Sequence, residues 1–142
     1  MKYLGLIIVI FFSLNSLGQD IHSKYPCDTS LTYDILLSGA TFSGMLLEKQ
    51  IELQNLIYTL DNYKSISGSY FVKFIVNCDG TTNDIKNKFP GNTIYTKEVT
   101  DFITNIASEN NWTPAIHRDK RVPHRKTISI EIKNGKIKEL KI

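Results

Sequence analysis

Apolar residues recur along this chain in three rhythms. The first is a nearly unbroken apolar run over residues 3–14. It is shorter than the roughly 20 residues needed to cross a bilayer. The second rhythm is helical. Leu46, Leu47, Ile51, Leu53, Leu56, Ile57 and Leu60 fall mainly on one broad face, with Glu48, Lys49, Glu52 and Asn55 elsewhere. This spacing predicts a helix over 44–60, with Ser43 as its cap. Val99, Phe102, Ile103, Ile106 and Ala107 repeat the pattern and predict a second helix over 98–110, with Thr96 as candidate cap. The third rhythm has a period of two. Tyr, Val, Phe and Ile dominate 70–78, where Val72, Phe74 and Val76 share one face. Residues 127–133 alternate cleanly, with Ile128, Ile130 and Ile132 inward and Ser129 and Glu131 outward.

Turn chemistry orders these segments. Ser67-Gly68-Ser69 breaks the chain before the first strand. Asp79-Gly80 favours the positive backbone φ of a tight hairpin, so a more polar returning strand is expected over 81–89, ended by Pro90-Gly91-Asn92. Asn110-Asn111 stops the second helix, and Pro123 closes a basic loop. Asn134-Gly135 is another hairpin signal, making 136–142 a candidate final strand. Residues 19–42 carry Pro26 and Gly39 as breakers and read as an irregular arm. The expected fold class is α+β: a small antiparallel sheet of three to four strands with two helices packed on one face. One domain over 43–142 would hold it.

Charge and cysteines change the picture modestly. Lys2 precedes the first apolar run, and Ser16-Leu17-Gly18 places small residues at the −3 and −1 positions. Residues 1–18 therefore read as a signal peptide cleaved after Gly18, with an uncleaved anchor as the alternative. The expectation is an exported protein, periplasmic or outer-membrane associated, with no stable membrane span after cleavage. Residues 19–116 hold seven Lys and Arg against eleven Asp and Glu, whereas 117–142 hold nine against three. That basic end is read as a solvated surface, and export argues against nucleic acid as a partner. Cys27 and Cys78 are the only cysteines. An oxidising compartment would allow them to pair, but sequence leaves open whether the two sulfurs meet.

Chemistry is sparse. His22, His117 and His124 lack carboxylate or thiol neighbours at usual ligand spacings, so no metal is expected and the histidines read as surface residues. There is no Gly-x-Ser-x-Gly elbow and no Gly-rich phosphate loop, and Cys78 has no obvious base. Turn chemistry accounts for Asp79 better than acid catalysis does. The expectation is a protein that is not an enzyme and has no cofactor.

One ordered set of motifs resembles a known family. Gly68 opens an alternating strand, Asp79-Gly80 follows as a turn, and the second helix leads into Trp112-Thr113-Pro114-Ala115. Lys120-Arg121-Val122-Pro123 and the strand 128–132 complete the set. Over about residues 46–133 this pattern resembles the TonB C-terminal domain. In that family an extended peptide from an outer-membrane transporter pairs with an edge strand. The resemblance implies a protein or peptide partner, such as an outer-membrane receptor, docking beside Thr127, Ile128, Ser129, Ile130, Glu131, Ile132 and Lys133. A homodimer formed through the same kind of edge is a further expectation. Gly68, Asp79, Gly80, Trp112, Pro114 and Ala115 would be structural. Trp112 reads as an apolar plug whose indole N–H needs a partner. The chain departs from the family's transducers: its first apolar run reads as cleavable, and it carries no Pro-rich spacer. Residues 136–142 could also fold back over the docking edge, as a permanent cap or a displaceable one. The alternative functions are an accessory envelope domain that has lost peptide binding, or a small enzyme or inhibitor.

Overall fold

The structure is a computed structural model that describes residues 25–34, 36, 39–88 and 96–142. The expected signal peptide, His22, Phe89 and the Pro90-Gly91-Asn92 stop lie outside the described residues. In chain order the elements are β1 (Thr41–Phe42), α1 (Leu46–Thr59), a 3-10 turn (Tyr63–Ser65), β2 (Gly68–Val76), β3 (Thr82–Lys88) and α2 (Lys97–Ser108). They continue with β4 (Trp112–Thr113), β5 (Ala115–His117), β6 (Lys120–Val122), β7 (His124–Lys133) and β8 (Lys136–Lys141).

A four-stranded antiparallel sheet in the order β3-β2-β7-β8 carries the fold. Its inner face is built by alternation. Tyr70, Val72, Phe74 and Val76 of β2 lie beside Ile130, Ile128, Lys126 and His124 of β7. Leu53 and Ile57 of α1, and Val99, Ile103, Ile106 and Ala107 of α2, close the same core. Two small two-stranded sheets, β1-β4 and β5-β6, were not expected. The second replaces the expected basic loop: β5 and β6 pair antiparallel, and Arg118 and Asp119 turn the chain with φ 49° and 56°.

Helix ends follow local chemistry in one case and not in the other. Thr96 caps α2, its hydroxyl accepting from Val99 N–H at 3.4 Å. Ser43 does not cap α1, which starts after Met45 with no side-chain cap. Its hydroxyl instead donates to the Asn111 carbonyl at 2.7 Å. The broad apolar face expected for α1 is also narrower in fact. Leu47 and Ile51 are 62% and 52% exposed, while Leu53 and Ile57 are fully covered.

Both hairpin signals form turns. Asn134 and Gly135 have φ 52° and 71°, and Gly80 has φ 83°. Asp79 shapes its turn by accepting from the Thr81 N–H at 3.0 Å and the Thr81 hydroxyl at 2.6 Å. A Cβ added at Gly80 would lie 2.5 Å from the Trp112 carbonyl oxygen. The expected turn and the tryptophan motif are therefore in direct contact.

Candidate functional site

The strand 127–133 is not an edge. β2 pairs with it through Ile132 on one side. On the other side two separate segments cover it. β8 pairs with residues 129–133, from Ser129↔Lys141 to Lys133↔Lys136. The arm covers the start of β7, where Tyr33 bridges His124 in parallel. There the Tyr33 N–H donates to the Pro123 carbonyl at 3.0 Å, and the Arg125 N–H donates to the Tyr33 carbonyl at 2.8 Å. Among the described residues, neither segment pairs with 126–128. Arg125 N–H points away from β2, so the pleat turns the main-chain groups of Thr127 to that same outer side.

Side chains alternate across this strand. Ile128, Ile130 and Ile132 are buried in the core. Thr127 and Ser129 are half-buried, and Glu131 and Lys133 are exposed, on the opposite face. Glu131 stands across from Glu139, whose carboxylate pairs with Lys141 at 2.7 Å.

Each cover has its own anchor. Gln54 of α1 holds β8 at its turn: its amide donates to the Gly135 carbonyl and its oxygen accepts from Ile137 N–H, both at 2.8 Å. Leu140 is the one residue of β8 in the buried core, with Ile137 and Ile142 packed partly against it. The arm is held by a disulfide between Cys27 and Cys78, with Cα atoms 5.6 Å apart and a sequence separation of 51. Arg121 adds to this: its Nε donates to the Tyr25 carbonyl at 2.7 Å and its guanidinium to the Cys78 carbonyl at 2.8 Å. Asp28 reaches Lys120 at 3.3 Å. Two bonds from Ser30, with help from Lys120, lower the Asp28 carboxyl to about 2. Such a disulfide is compatible with an oxidising, exported compartment.

The other motif residues cluster in part. Trp112 is buried between Phe74 and Phe42, ring centroids 4.9 and 5.1 Å away. Its indole N–H has no hydrogen-bond partner among the described residues, contrary to the expected pairing. Pro114 lies near Gly80 beside it, and Ala115 is buried opposite Val122. Gly68, with φ 132°, sits at the far end of β2 opposite Ile132.

His124 corrects the sequence reading most sharply. It is only 5% exposed and is not a surface histidine. Its Nδ1 accepts from the Ala40 N–H at 3.0 Å, which places the neutral ring's proton on Nε2. Nε2 is buried with no hydrogen-bond partner among the described residues. Burial and the nearby Lys126 ammonium lower its pKa, against a weaker opposing pull from Asp34. The signal was present: extending the isoleucine alternation back from Ile128 by two and four residues reaches Lys126 and His124. Lys126 is half-buried there, and burial lowers its pKa too. His117 lies against Tyr33, ring centroids 5.0 Å apart. Among the described residues no group of His, Cys, Asp or Glu could hold a metal ion, and no helix is long and apolar enough to cross a membrane. Compared with known proteins, the chain matches no family model, no curated protein and no solved structure.

Proposed function

We propose that the chain is an envelope-associated binding module, rather than an enzyme, that takes an extended peptide or protein edge onto β7 by strand addition. The observation that carries this reading is the cover over β7. One long, well-anchored strand has its outer side covered by two short segments, the arm at His124 and β8 at 129–133. Ile128, Ile130 and Ile132 are buried in the core and lie opposite Val72, Tyr70 and Gly68 of β2. A partner strand could replace β8, supplying the same main-chain hydrogen bonds. The TonB-like order of motifs supports an outer-membrane receptor as the partner.

The test compares the full chain with a chain ending at Lys133, using fluorescence anisotropy against a panel of labelled extended peptides. The shortened chain should bind at least one peptide about tenfold more tightly, a difference of about 1.4 kcal/mol. No gain for any peptide would reject a displaceable cover. A second reading, a permanent cap on an accessory domain, is favoured by the paired bonds of Gln54 and the burial of Leu140. It expects that negative result.

A further inference from the structure

Four lysines gather around the β7–β8 turn. Among the described residues, Lys49, Lys86, Lys97, Lys120 and Lys141 each pair with a carboxylate, whereas Lys73, Lys88 and Lys126 make no ion pair and lie elsewhere. Lys64, Lys133, Lys136 and Lys138 make no ion pair among the described residues. These four instead line one cleft of about 420 Å³, together with Tyr63 and Asn134. That volume is within the usual range for small-ligand sites, roughly 300–1,000 Å³.

Two features make this more than a scatter of surface charge. First, Lys133 and Lys136 stand directly opposite each other in the last rung of the hairpin. Like charges in that position destabilise a strand pair. Second, the backbone holds the lysines together. Gly135 N–H donates to the Ile66 carbonyl at 2.9 Å, and Asn134 N–H donates to the Ser67 hydroxyl at 2.9 Å. A Cβ on Gly135 would come within 2.5 Å of the Tyr63 ring, so the turn is seated tightly on the segment that carries Lys64. The ammonium groups can swing on their stems, but the elements bearing them are tied.

From this we infer that the cleft is a binding site for a compact, soluble polyanion carrying two or more phosphate or sulfate groups. Such an anion would bridge Lys133 and Lys136, replace their repulsion with two attractions, and take further contacts from Lys64 and Lys138. Lysine serves phosphate as a point charge with three donors, so the site reads charge and size more than shape. The recess favours a small anion over a bilayer, because a flat surface cannot enter between the turn and the 3-10 segment.

Inorganic pyrophosphate is the probe, titrated calorimetrically into the full chain at a constant ionic strength set with sodium chloride. Saturable binding is expected. Lys133→Gln with Lys136→Gln should weaken it by about tenfold or more, the Arg pair should retain it, and Lys64→Gln should weaken it less. Without anion and at low salt, the Gln pair should melt above the parent, because the repulsion is gone. Three results would overturn the proposal: no saturable heat beyond that of chloride, equal affinity in the Gln variants, or binding to phosphatidylglycerol vesicles without binding to pyrophosphate.

Discussion

His124 concentrates the chemistry of a single residue. Its buried neutral ring accepts a bond from the arm at Ala40, and burial holds its pKa below the ordinary 6.5. In the unfolded chain the ring takes up a proton first as pH falls. Its contribution to stability is therefore complete above about pH 6.5 and is lost as pH drops through the folded value. Protonation also turns Nδ1 from an acceptor into a donor facing the Ala40 N–H, which opposes docking of the arm. The charged groups around it are Lys126 on its own strand and Asp34 on the arm, with Asp34 paired to Arg125 at 3.0 Å. Urea unfolding from pH 7.5 down to 5 should show a falling midpoint. His124→Phe should flatten that fall, and an unchanged slope would assign it to other groups. Trp112 shows the limit of residue-level reading. Its place as an apolar plug followed from its type, whereas the lack of a partner for its indole N–H among the described residues depends on which polar atoms lie within reach.

Elements were legible where one rhythm matched one environment. In α2 the helical stripe is tight, and Val99, Ile103, Ile106 and Ala107 are all buried. The α1 stripe is apolar over too wide an arc to reveal its orientation, since the core covers only the part around Leu53 and Ile57. Polar residues gave no such signal. Nothing in the spacing marks Gln54 as the residue that holds the β7–β8 turn with both ends of its amide. Gln54→Ala leaves the Gly135 carbonyl and the Ile137 N–H without these partners. It should lower stability by about 1–3 kcal/mol, measured by chemical denaturation. Hydrogen exchange at the amides of β8 should speed up before that of β2. Exchange in β8 as slow as in the parent would show that Gln54 does not secure the strand.

Across the whole molecule, long-range ties join the arm to the sheet. The disulfide joins residues 51 apart, and the Ala40–His124 bond spans 84. Replacing both cysteines, Cys27→Ser with Cys78→Ser, should cost about 2–4 kcal/mol of stability. Limited proteolysis should then cut within residues 25–34 before the sheet; equal resistance in both proteins would mean that Arg121 and the backbone bonds suffice to hold the arm. The amino-acid sequence by itself determined the two helices, the alternating faces of β2 and β7, and the turns at Gly80 and Gly135. Those features depend on neighbours a few residues apart and on the backbone angles that particular residues tolerate. Tertiary structure alone decided that β7 is covered on its outer side, that His124 is buried, that the two sulfurs meet and that four lysines share a cleft. Each of these joins groups distant along the chain, and such contacts are set by how the layers pack.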